Sequence, residues 1–370
     1  MDRFSPNACP RLIVKVGSAL LVDPAGAIRQ DWLAALAATI AARVAIGQQV
    51  AIVSSGAIAL GARRLGLAKG GRASLEDAQA AAATGQIALS SAWASAFAEH
   101  GRTAAQMLVT LDDLEDRRRY LNVAATLGRL LSLGVVPILN ENDSVATEEI
   151  RFGDNDRLAA RVAGAAGAQG VVLLSDIDGL YDANPSANPQ ARHIPLVEAI
   201  DAGIAAMADA GSASGMGSGG MVSKVAAARI ATAAGAHLAI VSGHAEDPLA
   251  ALDGGRCTIF LADKASSARK AWLAGGLTAK GAIHVDGGAA RALADGRSLL
   301  AAGATRIDGD FARGDLIAIV GPAGPLARGL SEYDAADARA VAGRRSDEHE
   351  AILGHAPRST LVHRNHMALI

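Results

Sequence analysis

Residues 12–18 read Leu12-Ile13-Val14-Lys15-Val16-Gly17-Ser18, an apolar run interrupted by one lysine and closed by glycine and serine. A short apolar run with no polar alternation is the signature of a strand buried on both faces. The pattern recurs at Val50–Val53, Val135–Leu139, Val171–Leu174 and Leu238–Val241. Ala/Leu-rich helical stretches lie between these runs, at Trp32–Ala45, Leu121–Ser132, Leu158–Ala166 and Val222–Ala234. Strand and helix in alternation predict an α/β fold, a three-layer αβα sandwich with a largely parallel sheet. Ligands on such sheets gather beyond the carboxyl ends of the strands.

The residues just past each strand therefore carry the functional signal. Lys15, Gly17 and Ser18 close the first; Ser54, Ser55 and Gly56 the second; Asn140, Glu141, Asn142 and Asp143 the third; Ser175, Asp176 and Asp178 the fourth. Turn and cap chemistry accounts for several of these residues singly. It does not account for a lysine at the end of an apolar strand, or for an Asn-Glu-Asn-Asp cluster. A second polar cluster, Gly153-Asp154-Asn155-Asp156-Arg157, precedes the helical run from Leu158, where an N-cap needs only one such side chain.

The most glycine-dense segment is Ser214-Gly215-Met216-Gly217-Ser218-Gly219-Gly220-Met221-Val222-Ser223-Lys224. Glycines running into a helix let successive N–H groups face one concavity, and the helix start adds partial positive charge. Taken alone, the segment reads equally as a flexible surface loop. Gly215, Gly217 and Gly220 have the G-x-G-x-x-G spacing, but no β-branched run precedes them to supply the strand of a dinucleotide fingerprint. Met221 and Val222 stand where a P-loop would place its lysine, so that template fails too.

Composition narrows the classes. The chain has 370 residues, 51% of them hydrophobic, which is enough for two domains and a large core. A net charge of −2 argues against nucleic-acid binding by overall electrostatics. The chain writes its generic cation as Arg and contains only six lysines, so Lys15 and Lys224 stand out. A compact ammonium suits point contact with a phosphoryl oxygen. Cys9 and Cys257 form no metal-ligand spacing, and Cys257 reads as a small buried hydrophobe. Residues 1–10 contain no apolar signal segment, so a cytoplasmic location is expected. Ala78–Ala98 carries no charge over a membrane-spanning length, yet Gln79, Thr84, Gln86, Ser90, Ser91 and Ser95 make it too polar for a bilayer, and it reads as an Ala-rich buried helix. Asp112–Arg119 reads as a solvated helix face.

The pattern changes after Leu261. Residues 263–280 read as a linker between a first domain, 1–262, and a small β-rich domain, 281–363. Strands are expected there at Ala282–Asp286, Ser298–Leu300, Ala304–Asp308 and Leu316–Val320, with helices at Ala335–Val341 and Asp347–Leu353.

Taken together, Val14–Ser18, Ser54–Ile58, Asn140–Asp143, Gly153–Asp156, Ser175–Tyr181 and Gly217–Lys224 resemble the amino-acid kinase family, in the branch that carries an appended PUA domain. The resemblance covers nearly the whole chain. It implies the amino-acid kinase fold and transfer of the γ-phosphoryl group of ATP, supplied with Mg²⁺, to the γ-carboxylate of L-glutamate, giving L-glutamyl 5-phosphate. It implies a glutamate site at Ser55, Asp143 and Asn155. ATP would lie on Lys15, Ser175, Asp176 and the loop Ser218, Gly219, Gly220, Met221, Val222, Ser223 and Lys224. Lys15 and Lys224 would act on the transferring phosphoryl group, with Asp156 orienting them. The segment Tyr181-Asp182-Ala183-Asn184-Pro185 departs from the Tyr-Thr-Ala-Asp-Pro form of the family. The resemblance further implies a homo-oligomer (dimer or tetramer), feedback inhibition by proline and channelling to glutamate-5-semialdehyde dehydrogenase. No protein metal ligands and no membrane association are expected.

Other acceptors served by this family, namely N-acetylglutamate, aspartate, carbamate or a nucleoside monophosphate, share its fold and ATP loop. The PUA-like tail and the Asn140–Asp143 cluster favour glutamate. A different class of function is RNA binding by the tail through Arg291, Arg297, Arg306, Arg313, Arg328, Arg344 and Arg345, but no aromatic cluster for base stacking accompanies them.

Overall fold

The computed structural model describes residues 3–145, 155–210, 220–245, 247–263 and 279–369. The chain divides into two compact units, one of residues 1–115 with 122–263 and the other of residues 116–121 with 264–370.

The first unit is built on an eight-stranded sheet. Its strands are β1 (Arg11–Val16), β2 (Gln49–Ser54), β3 (Ala104–Val109), β4 (Val136–Glu141), β5 (Gly170–Ser175), the short β8 (Leu196–Val197), β9 (His237–Ser242) and β10 (Cys257–Phe260), with β6 (Leu180–Tyr181) and β7 (His193–Ile194) pairing separately. The order is β3-β4-β2-β1-β5-β9-β10-β8. All pairs from β3 to β9 are parallel, and β10 runs antiparallel to β9. The chain leaves β1 toward β2 on one side and reaches β5, with β9 beyond it, on the other, so the connections diverge between β1 and β5. The crevice at their carboxyl ends is where such a sheet accepts a ligand.

Side-chain alternation decides which face carries what. Leu12, Val14 and Val16 enter a core with Trp32, Leu33, Leu36 and Ile40 of helix Gln30–Ala45 and with Leu89, Trp93 and Phe97 of helix Leu75–Ala98. Ile13 and Lys15 therefore face the other way, toward helix Asn155–Ala166, which packs on β1 and β5 and against helix Met221–Ala233. One sheet between two helical layers is the three-layer sandwich expected.

Several bounds differ from expectation. The helix expected from Leu158 begins at Asn155, which places Asn155 and Asp156 in its first turn rather than in a preceding loop. The helix expected from Leu121 begins at Arg117. Strand β3 was not anticipated: it lies at the sheet edge, and only Val109 of its six residues is buried. Helix Leu75–Ala98 is long and Ala-rich as expected, and among the described residues no helix is long and apolar enough to cross a membrane. Cys9 and Cys257 are both buried free thiols, and burial pushes Cys9 up to about 12.

The second unit holds a five-stranded sheet of β11 (Gly281–Val285), β12 (Ala304–Gly309), β13 (Leu316–Gly321), β14 (Gly324–Leu330) and β15 (Met367–Leu369), in the order β12-β11-β13-β14-β15. Only β11 and β13 pair in parallel. Ile283, Ile317, Ile319, Phe311 and Tyr333 centre its core. The strand expected at Ser298–Leu300 is a single bridge from Leu299 to Val362, and the last helix begins at His349 rather than Asp347. Strand β15 lies past the edge expected at residue 363. Among the arginines considered for RNA, Arg306 pairs with Asp308 at 2.8 Å, Arg313 with Glu332 at 3.6 Å and Arg345 with Asp347 at 3.4 Å.

Candidate active site

Three charged side chains meet at the β1/β5 crevice. Lys15 Nζ lies 2.7 Å from Asp156 Oδ1, and Lys224 Nζ donates to Asp156 Oδ2 at 3.1 Å. Lys15 comes from β1, Asp156 from the first turn of helix Asn155–Ala166 and Lys224 from the first turns of helix Met221–Ala233. All three are buried, Asp156 to 1% exposure. Burial pushes the Asp156 carboxyl upward, but the ammoniums of Lys15 and Lys224 outweigh it and hold the group below the usual carboxylate range. Two cations on one anion leave the cluster net positive, and the shared carboxylate fixes both ammoniums.

Helix Met221–Ala233 opens at Gly220, whose backbone is extended and which supplies no side-chain cap. Gly220 thus places no side chain over the first turn, which leaves room for an anion at the helix start. Ser218 and Gly219 lie outside the described residues, as do Gly153 and Asp154. At the end of β5, the Ser175 hydroxyl donates to Asp176 Oδ1 at 2.9 Å. In the segment that departs from the family form, Asp182 Oδ1 accepts from Arg192 N at 2.7 Å, across the β6–β7 pair, and Asn184 Oδ1 from Ser186 N at 2.9 Å, in a local turn.

A second polar group stands at the ends of β2 and β4. Asn155 Nδ2 donates to Ser55 Oγ at 2.6 Å and to Asn140 Oδ1 at 3.1 Å. Asn155 shares the first helical turn with Asp156, so one turn reaches both polar groups. Ser54, beside Ser55, accepts from Trp93 Nε1 at 2.9 Å, which ties the end of β2 to helix Leu75–Ala98. Asp143 sits buried in the turn after β4; burial pushes it up to about 6, against the opposing pull of Arg72. A carboxyl so raised favours folding when protonated. That contribution is complete below the ordinary value of about 3.9 and is lost as pH rises through about 6.

The expected residues Lys15, Asp156 and Lys224 are thus brought together, as are Ser55 and Asn155. Sequence reasoning gave no role to Gln86, which accepts from Asn140 Nδ2 at 2.9 Å and extends the amide group into helix Leu75–Ala98. Its only signal in the sequence is a polar residue amid alanines. Among the described residues, no group of three or more His, Cys, Asp or Glu side chains could hold a metal ion.

Buried lysines on a shared carboxylate, beside a helix start at the carboxyl ends of a parallel sheet, form an arrangement whose chemistry suits a phosphoryl group. Residues 10–242 match the amino acid kinase family, and residues 281–353 match the PUA domain. The chain belongs to the amino acid kinase family, a family of phosphotransferases. It is 71% identical over its full length, and over the full length of that relative, to a glutamate 5-kinase of Sphingopyxis alaskensis. A glutamate 5-kinase of Novosphingobium aromaticivorans is 63% identical, with 98% of this chain and 97% of the relative covered. Among solved structures, UMP kinase from Ureaplasma parvum aligns with a TM-score of 0.47 at 17% identity, over 68% of this chain and 98% of that one.

Proposed function

We propose that this chain is a glutamate 5-kinase, transferring the γ-phosphoryl group of MgATP to the γ-carboxylate of L-glutamate and so opening proline biosynthesis from glutamate. The observation that carries this reading is the Lys15–Asp156–Lys224 cluster joined to the Ser55–Asn155–Asn140 group through the first turn of one helix. The first suits a phosphoryl group and the second a small polar acceptor.

A carboxylate acceptor with a pKa of about 4.3 is ionised at neutral pH and needs no general base. One of its oxygens forms the new O–P bond as the bond to the β-phosphate oxygen breaks, and ADP leaves. Catalysis is then in-line positioning and neutralisation of charge on the equatorial oxygens. Lys15 and Lys224 supply that neutralisation, and Asp156 holds them. The N–H groups at Gly220–Ser223, with Ser218, Gly219, Ser175 and Asp176, hold the nucleotide. Mg²⁺ enters as part of the MgATP substrate, carried by phosphates and water. On the acceptor side, the Ser55 hydroxyl keeps its proton to donate to the α-carboxylate, while Asn155 Oδ1 and Asp143 receive the ammonium. Homo-oligomerisation, proline feedback, a cytoplasmic location and hand-over of the acyl phosphate to glutamate-5-semialdehyde dehydrogenase accompany this reading through the family resemblance.

The deciding experiment incubates the protein with MgATP, candidate acceptors and hydroxylamine, which traps an acyl phosphate as a hydroxamate. Signal with glutamate and none with N-acetylglutamate is expected; the reverse pattern overturns the reading. Asn155→Ala is expected to raise KM for glutamate on the order of 10- to 100-fold with KM for ATP kept, the worth of a hydrogen bond to a charged group. A loss of ATP affinity instead would move Asn155 to the nucleotide side. Because Asp143 ionises at about 6, kcat/KM for glutamate should fall about tenfold per unit below that pH. In Asp143→Asn that limb should vanish from the profile; a limb that survives assigns it to another group.

A further inference from the structure

We infer that Gln86 is a positioning residue for the acceptor site, setting the direction of a chain of amides that ends at the ligand; this rests on the glutamate reading above. The chain is continuous. Gln86 Oε1 accepts from Asn140 Nδ2 at 2.9 Å, Asn140 Oδ1 accepts from Asn155 Nδ2 at 3.1 Å, and the same Nδ2 donates to Ser55 Oγ at 2.6 Å. Behind Gln86, its Nε2 donates to Ser90 Oγ at 3.2 Å, and the Ser90 hydroxyl donates to Gln106 Oε1 at 2.8 Å. Gln86, Asn140 and Asn155 are all buried, the last two to 3% exposure.

A primary amide carries two N–H donors and one acceptor oxygen. Both donors of Asn155 are spent, on Ser55 and Asn140. Its Oδ1 is buried and has no hydrogen-bond partner among the described residues. An unpaired buried acceptor is costly and is satisfied by a donor on the ligand. The α-ammonium of an amino acid is such a donor.

This orientation is not intrinsic to Asn155. Rotating these three amides and that of Gln106 by half a turn, with the Ser55 and Ser90 hydroxyls turning to match, preserves every link in reverse and presents Asn155 Nδ2 to the ligand, where it would face the ammonium donor to donor. Ser55 and Ser90 are hydroxyls that donate or accept, so neither fixes the direction. Gln86 carries the direction from the Ser90–Gln106 end to the ligand, because the atom it turns toward Asn140 decides which way Asn140, and then Asn155, must lie. An oxygen there gives an acceptor at the ligand; a nitrogen gives a donor.

The test compares two replacements in the hydroxamate assay beside the wild type. Gln86→Met keeps length and removes the link; Gln86→Glu keeps an oxygen toward Asn140. The Met variant should raise KM for glutamate about tenfold, with kcat and KM for ATP changed less than about twofold. The Glu variant should return KM for glutamate to within about threefold of wild type. If the Met variant does not fold, Gln86→Ala in the same Ala-rich helix takes its place. An unchanged KM for glutamate without the link, equal loss for both substrates, or a Glu variant no better than Met overturns the role of Gln86. A wild type that makes no hydroxamate from glutamate instead overturns the functional reading.

Discussion

Asp156→Asn is expected to cut turnover by about 10² to 10³, the effect of losing one preorganised electrostatic group. It is also expected to lower stability by about 3–5 kcal/mol at neutral pH, the cost of removing one partner from a buried ion pair. The side chain is 1% exposed and lies 2.7 and 3.1 Å from two ammoniums. Asparagine has nearly the same shape, so the change removes charge and little packing. Two buried cations are then left facing one another, each short of a partner. The sign of the pH dependence comes from the depressed carboxyl. Its stabilisation is present above the ordinary value of about 3.9 and is lost as pH falls through the lower folded value. The wild-type advantage in denaturant titrations should therefore be constant near neutrality and shrink only in acid. Millimolar MgATP should raise the variant's midpoint more than the wild type's, because phosphates supply the missing negative charge. Wild-type stability and turnover in the variant would remove Asp156 from the site.

How much of this was legible in the sequence depended on how local each feature is. The inner strands were readable because a strand buried on both faces carries an unbroken apolar run, as β5 does at Val171–Leu174. Strand β3 was not, because it lies at the edge and carries Gln106 and other part-exposed residues. Strand β15 is three residues long and finds its place only by pairing with β14. Lys15 was legible as a charge that an apolar strand would otherwise not hold. Asp156 was legible as surplus polarity beside a helix start, although the helix begins three residues earlier than its apolar pattern indicates. Gln86 was not legible as part of the site. It meets Asn140 across 54 residues of sequence, and a glutamine in a long Ala-rich helix reads only as polarity. Residues whose role is to orient other residues leave no local pattern, since their partners are set by the fold.

The contact that brings Gln86 to the site makes the remaining prediction, on Gly85→Ala. Helix Ala57–Leu65 crosses helix Leu75–Ala98 with backbones in direct contact at Gly61 and Gly85. A Cβ on Gly85 would run into the Ala57 carbonyl oxygen and stand 2.6 Å from Gly61 N and 2.8 Å from the Ala57 carbonyl carbon. All three are backbone atoms, so no rotamer change relieves the clash and the helices must separate. Helix propensity alone predicts the opposite sign, since alanine is favoured over glycine inside a helix by about 1 kcal/mol. The overpacking cost of about 1–3 kcal/mol or more is expected to win, because the obstacle is main chain. The shift would also reach the acceptor site. Ala57 opens its helix two residues after Ser55, and Gly85 precedes Gln86, so separating the helices stretches the Gln86–Asn140–Asn155–Ser55 chain at both ends. Gly85→Ala should therefore show a lower denaturation midpoint together with a raised KM for glutamate, while KM for ATP, whose proposed site at helix Met221–Ala233 lies beyond the opposite face of the sheet, stays close to wild type. A variant as stable as wild type would mean that the two helices are not in backbone contact. A destabilised variant with both KM values raised alike would mean that the strain spreads through the unit instead of concentrating on the amide chain.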